Sequence, residues 1–293
     1  MKVLVTGASG FVGRHVLEQL LATGHRVMVL SRHRTNFPVE VEVALGDVVS
    51  GEGLAAASAS AEAVIHLVGI IRETRGQSFE QVHTEGTRNV VSAAREAGVQ
   101  RYLQMSALGA AKGTGSRYFQ TKAQAEEIVK ASGLDWTIFR PSLIFGRGDE
   151  FFGLVMKGLV SAPLIPQIGD GRFPFRPIYV GDVASAFEQA LSRPATIGRS
   201  FDLVGPIEYT FRELLLLVRE TLGSRRPILP VPLWAMKLAV PLLQVLPNPP
   251  ITRDQFAMLL QGNTADPGLM QQHFDLPLEA LPEHLPAILG LRR

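Results

Sequence analysis

The chain has 293 residues, 46% of them hydrophobic and 19% charged, which suits one large α/β domain, alone or with a smaller lobe, and excludes a disordered chain. Its 29 basic and 27 acidic residues leave a formal charge of +2, and the basic residues are scattered, which argues against a nucleic-acid partner. There is no Cys, so disulfides and thiolate metal sites are excluded; no metal centre is expected.

No signal peptide precedes the first strand, so the expected location is cytoplasmic, with attachment at the periphery of a membrane as the alternative. Lys2–Thr6 is a short β-branched run that reads as a buried strand, and it feeds directly into Gly7-Ala-Ser9-Gly10-Phe11-Val12-Gly13. From 11 to 21 the apolar residues fall at helical spacing. Strand, glycine-rich turn and helix form the arrangement that receives a pyrophosphate. Gly7 and Gly10 let the backbone approach the phosphates, Gly13 lets helix and strand pack closely, and the first free helical N–H groups point at the anion. The spacing is GxxGxxG, and its place between a strand and a helix gives it meaning.

Further strands are expected at 26–30, at 40–45 before Gly46-Asp47-Val48, at 63–68, at 101–105 and at 135–140. Helices are expected at 53–61, at 79–97 before Gly98, and at 118–131. Strands alternating with helices predict a doubly wound parallel sheet of the α/β class over 1–145, with 178–204 returning to it. Between 146 and 178 prolines and glycines break the pattern. The rest, with helices at 210–222, 233–246 and 252–260, reads as a smaller, mostly helical lobe made of 146–177 and 205–293. The stretch 233–246 is too short to span a bilayer and contains Pro241. It is either a helix over a substrate cleft or a surface for a membrane or an apolar substrate. No transmembrane segment is expected.

Two places suggest how a dinucleotide is read. The end of the second strand carries Ser31-Arg32-His33-Arg34 and no acid. A guanidinium there matches a ribose 2′-phosphate, so NADP(H) is favoured over NAD(H). Asp47 could accept from an adenine amino group, or serve as a turn residue. Tyr118 and Lys122 stand at i and i+4, one helical turn apart, where an ammonium would lower the phenol's pKa toward a usable proton donor or acceptor. His66 lies in an apolar strand and is expected in the core, and Asp182 is expected to cap a helix.

The glycine turn, Gly46-Asp47-Val48, Tyr118-x-x-x-Lys122, Arg140-Pro-Ser-Leu-Ile-Phe-Gly146 and Pro177-Ile-Tyr-Val-Gly-Asp182-Val resemble the extended and atypical short-chain dehydrogenase/reductases. Phe201-Asp-Leu-Val-Gly-Pro206, the helix from Thr210 and Thr252-Arg-Asp-Gln255 are more similar still to one branch: the NADPH-binding accessory subunit of respiratory complex I and its bacterial relatives. The resemblance covers essentially the whole chain. It implies that Gly7, Gly10, Phe11 and Val12 meet the pyrophosphate, and Ser9 and Gly13 of the same turn are further candidate cofactor-binding residues. Leu67-Val68-Gly69 would line the adenosine side, and Tyr118, Lys122 and Pro141-Ser142 would reach the nicotinamide end; Ser31, Arg32, Asp47, Val48 and Ser106 are further candidate cofactor-binding residues. Tyr118, Lys122 and Ser106 are the candidate catalytic residues. In active extended members a Ser or Thr precedes the Tyr by about two dozen residues. Here Ser106 is only 12 residues away, Ala107 stands at the hydroxyl position, and the loop between is short. His83 replaces the family's usual Asn and reads as a packed or cofactor-adjacent residue. Two functions follow as expectations. One is an NADP(H) holder with weak turnover, linked to a respiratory or membrane assembly. The other is an active NAD(P)-dependent reductase, dehydrogenase or epimerase acting on a small, apolar or lipid-like substrate.

Overall fold

The computed structural model describes residues 1–34, 36–110, 115–244 and 251–291. They form two compact units: Met1–Pro141 with Gly181–Leu203 and Gly268–Leu276, and Ser142–Val180 with Val204–Pro267 and Pro277–Arg293. Residues 142–145 and 178–180 thus cluster with the second unit. The sequence boundaries at 145 and 178 instead followed the proline and glycine breaks.

In the first unit the strands are β1 (Lys2–Thr6), β2 (Arg26–Ser31), β3 (Glu42–Leu45), β4 (Ala63–His66), β5 (Arg101–Met105), β6 (Asp135–Pro141) and β7 (Arg199–Leu203). They make one seven-stranded parallel sheet in the order β7-β6-β5-β4-β1-β2-β3. The helices are α1 (Phe11–Ala22), α2 (Leu54–Ser58), α3 (Gly86–Glu96), α4 (Arg117–Lys130), α5 (Val180–Ser192) and α6 (Gly268–His273). A core of Leu4, Leu30, Leu54, Val64, Val90, Tyr102, Val129 and Ile138 packs helices on the sheet. The buried Arg101 ties the far side together, donating to the carbonyls of Ala190 and Asp135 and to the hydroxyls of Thr137 and Thr196. Each of its three nitrogens thereby finds the kind of acceptor that a buried charge needs.

Two expectations need correction here. The helix foreseen at 79–97 is not one α-helix: Glu80–Glu85 is a π-helical turn that precedes α3. Such wide turns give no separate periodicity signal, and this one holds His83. Asp182 does not precede a helix, because α5 already begins at Val180; its carboxylate sits in the first turn, where the helix dipole favours an acid.

The second unit is built around Phe145, Phe152, Ile165, Phe211, Leu214 and Leu285. Its helices include Phe211–Thr221 and Arg253–Gln261, opened by reciprocal capping boxes at Thr210/Glu213 and Thr252/Gln255. Ile165–Ile168 pairs with Ile228–Val231, and two-residue strands pair at 144–145 with 178–179 and at 174–175 with 209–210. Strands this short leave no alternation for a sequence reading to find. Among the described residues no helix is long and apolar enough to cross a membrane. Residues 245 and 246 of the expected helix, and 111–114 of the loop before Tyr118, lie outside the described residues.

Candidate functional site

The sheet order reverses between β1 and β4, since from β1 the chain builds toward β3 on one side and β4 begins the other. Ligands of open α/β sheets bind beyond the carboxyl ends of the strands at such a switch point. Two loops leave that point, Gly7–Gly13 after β1 and Leu67–Gly69 after β4. Gly7 has φ +82°, and a Cβ there would lie 2.9 Å from the Val68 nitrogen, so the loops pack backbone to backbone. A Cβ at Gly13 would fall 2.1 Å from the Gly7 carbonyl oxygen. Gly10 differs, because it is exposed, has an ordinary φ of −74°, and its Cβ would meet only the Gly7 oxygen, at 3.3 Å. Gly7 and Gly13 therefore serve the fold, whereas Gly10 lies on the open surface of the turn.

α1 begins at this turn with no side-chain cap and no acid in its first turn, which leaves its opening N–H groups for an anion. Ser9 is exposed and its carbonyl accepts from Arg14 Nε at 3.1 Å, so a cation that the sequence reading did not single out is pinned to the turn. Val12 is buried and Phe11 half-buried. These features fit a pyrophosphate: a close-approach glycine, free helical donors and a held guanidinium.

At the end of β2 the Ser31 hydroxyl donates to the His33 carbonyl at 2.8 Å, fixing the bend, and Arg32 is exposed. Asp47 is half-buried and one of its oxygens accepts from the Val49 N–H at 2.8 Å, an Asx turn. Its turn role is thus present, and its second carboxylate oxygen remains for another donor. Val48 is buried, and its carbonyl and that of Val49 each accept from Asn89 Nδ2 at 2.9 Å, tying this loop to α3.

Tyr118, Lys122 and Glu126 stand at i, i+4 and i+8 on one face of α4, all buried. The Tyr118 ring meets Phe79 at 5.8 Å, His83 at 5.4 Å and Phe119 at 5.4 Å, all edge-on. Burial pushes its phenol up to about 12. This overturns the expected lowering by Lys122. Burial first, with Glu126 opposing it, takes the Lys122 ammonium itself down to about 8, and its Nζ donates to the Met105 carbonyl at 3.2 Å. Lys122 also closes on Gly69, where a Cβ would lie 2.9 Å from Nζ and 3.6 Å from His83 Nε2. His83 is neutral, because burial and the Lys122 charge press its pKa down to about 2. Its Nε2 accepts from the Ile70 N–H at 3.1 Å. Nδ1 therefore carries the proton and donates to Thr121 Oγ1 at 2.9 Å, whose own hydroxyl turns to the Tyr118 carbonyl. His83 is thus the brace between the β4 loop and α4. His66 is fully buried and shares a 2.6 Å hydrogen bond with Thr6, in keeping with a core position.

Ser106 is drawn elsewhere. Its hydroxyl donates to Glu126 Oε1 at 2.6 Å, and Glu126 forms a forked pair with Arg140, at 2.7 and 2.5 Å. Ala107 beside it is buried. Pro141 ends β6 and its carbonyl accepts from the Leu108 N–H at 3.0 Å. Ser142 belongs to the second unit, where its hydroxyl donates to the Arg176 carbonyl at 2.6 Å. Glu126 was not foreseen. Its spacing from Lys122 was visible, but its partner Arg140 arrives from a different strand.

The depressed Lys122 makes a stability prediction. An unfolded lysine titrates near 10.4, so between about 8 and that value the unfolded chain binds more protons and stability rises with pH. Below about 8 the full cost of the buried charge is present. Lys122→Met is expected to stabilise the ligand-free protein near neutral pH by about 1–3 kcal/mol, an advantage that fades as pH approaches the unfolded value. Urea unfolding of both proteins across that range checks it; a loss of stability that is constant with pH would contradict it.

A family of NAD(P)H-binding sequences matches residues 7–150. The chain is 33% identical over 250 residues to the mitochondrial NADH dehydrogenase (ubiquinone) 1 alpha subcomplex subunit 9 of Arabidopsis thaliana. That alignment covers 81% of this chain and spans 62% of the plant subunit, under two thirds of its length. Ceramide reductase of Caulobacter vibrioides is 31% identical over 236 residues, covering 78% of this chain and 73% of the reductase. The solved structure of MoeE5 in complex with UDP-glucuronic acid and NAD superposes with a TM-score of 0.76. It covers 99% of this chain and 98% of MoeE5 at 20% identity, a likeness of fold.

Proposed function

Because the chain belongs to the NAD(P)-binding short-chain dehydrogenase/reductase family, we propose that it holds NADP(H) as a bound ligand with weak turnover, linked to a respiratory or membrane assembly. In this reading Phe11 and Val12 offer backbone N–H groups to the pyrophosphate, which passes over Gly10, whose own N–H donates to the Gly7 carbonyl, and Arg32 meets the 2′-phosphate. Asp47, Val48 and Leu67–Gly69 border the adenosine, while Lys122 donates to the nicotinamide ribose, with Tyr118 and Pro141 at that end. A nicotinamide cofactor supplies a hydride when bound. Tyr118 is the residue that could hold the accompanying proton.

The observation that carries weak turnover is the Ser106–Glu126–Arg140 network. At the end of β5 the one hydroxyl donates its hydrogen bond to the buried Glu126, which the half-buried Arg140 holds, and the next residue is Ala107. Burial also raises the Tyr118 phenol, which makes it a poorer acid. The link to an assembly is supported by the similarity to complex I subunits, whose full length this chain does not span.

A second reading is an active reductase of apolar or lipid-like carbonyls. Tyr118 and Lys122 are both present one turn apart on α4, and the likeness to ceramide reductase favours it.

The cofactor reading is tested at Arg32. Arg32→Ala is expected to weaken NADPH binding by about 1.5–3 kcal/mol, the range for a charge-assisted hydrogen bond, and to leave NADH almost untouched. Calorimetric titration of both cofactors measures this. An equal loss for both would remove Arg32 as the phosphate partner.

A further inference from the structure

Helix Leu233–Leu243 in the second unit carries apolar surface on both sides. Leu233, Met236 and Val240, at i, i+3 and i+7, pack with the core of that unit. A surface helix anchored in this way ordinarily turns polar and charged residues outward. Here the outward positions are Trp234, Leu238 and Leu242, at i, i+4 and i+8, exposed by 68, 65 and 74%. Lys237 is the helix's one charged residue and is exposed beside them. Leu229, in the strand just before, is 50% exposed, and Arg225 and Arg226 precede it on the surface. Between Glu220 and Asp254 the sequence has Arg225, Arg226, Lys237 and Arg253 and no acidic residue at all.

We propose that this face lies on the surface of an anionic phospholipid bilayer. Trp and Leu side chains on one stripe suit the boundary between headgroups and acyl chains, where an indole keeps its N–H wet and buries its ring. The cations of this segment, with no acid among them in sequence, complement lipid phosphates and an anionic surface potential. Eleven residues containing Pro241 cannot span the bilayer, so the helix lies along it. A second copy of the chain is the poorer occupant. Two-fold pairing through this stripe would bring its cations together, with no acid in the segment to face them. The inference rests on the second unit's surface and not on the dinucleotide reading, although it gives the membrane link a physical form.

The purified full chain is tested by flotation with phosphatidylcholine vesicles, with and without phosphatidylglycerol, at low and high salt. Flotation is expected with the anionic vesicles alone and should diminish at high salt as surface charge is screened. In a Trp136→Phe background, the fluorescence of Trp234 should shift to the blue on binding. Trp234→Glu with Leu238→Glu should reduce vesicle affinity roughly tenfold or more, with NADPH titration and melting temperature unchanged. Lys237→Glu, which leaves the apolar residues in place, should weaken binding to anionic vesicles and guards against misfolding of the double variant. The proposal is overturned by no flotation, by equal flotation with neutral vesicles, or by variants that bind like wild type. It is also overturned by a concentration-dependent dimer that Leu238→Glu dissociates while no vesicle binding is seen.

Discussion

Gly10→Val is expected to lower dinucleotide affinity on the order of a hundredfold while the ligand-free protein melts almost where wild type does. The three glycines of the turn make this separation possible. A side chain at Gly13 would start 2.1 Å from the Gly7 oxygen, and one at Gly7 would need φ +82° and sit 2.9 Å from the Val68 nitrogen. Substituting either one disturbs the sheet's switch point itself, so lost binding would say nothing about a ligand. Gly10 is exposed, has φ −74° and ψ 175°, and faces only the Gly7 oxygen at 3.3 Å. Valine adopts that extended conformation readily. The new methyl groups would then stand over the uncapped start of α1, where a pyrophosphate must approach. Thermal unfolding without ligand, followed by titration with NADPH and NADH, measures both halves. A folded variant with full affinity for either cofactor would remove the glycine turn as the binding site.

The parts of this molecule legible in its sequence are those governed by local chemistry. Lys2–Thr6, the glycines after it and the apolar period of α1 are contiguous, so strand, turn and helix could be read together. That the sheet is parallel and doubly wound followed from the alternation of strands with helices. Tyr118 and Lys122 were legible because one helical turn separates them. What tertiary packing decides was not. The Tyr118 phenol rises instead of falling, because the rings of Phe79, His83 and Phe119 remove it from water, and because Lys122 is itself desolvated and turned to Met105. Ser106 was visible as a hydroxyl, but its acceptor Glu126 comes from α4 and the guanidinium that anchors it from β6. Helix Leu233–Leu243 was plainly apolar in sequence, yet which of its apolar residues the core covers depends on the packing of the second unit.

Tyr118→Phe separates a cofactor holder from an enzyme. Wild-type protein is expected to oxidise NADPH little or not at all against a panel of aldehydes, ketones, quinones and lipid-like carbonyls. The variant, retaining Lys122 for the ribose, should lose only about 0.5–1.5 kcal/mol of NADPH affinity, the worth of one hydrogen bond. The reason lies in the surroundings of the phenol. Proton transfer from a tyrosine works best when its pKa is brought toward the operating pH and a neighbouring group steadies the transfer. Here burial holds the phenol up at about 12. The lysine one turn on is engaged with the Met105 carbonyl, and the Ser106 hydroxyl is committed to Glu126, which Arg140 holds. The reductase reading predicts the opposite pattern. Robust oxidation of a lipid-like carbonyl by wild type would fall by about 10²–10⁴ in Tyr118→Phe, the usual worth of a positioned proton donor, with cofactor affinity largely kept. That pattern would establish Tyr118 as a catalytic acid. It would also mean that bound substrate supplies what Ser106 does not, by bringing its own oxygen to the phenol and displacing the environment that now keeps the proton in place.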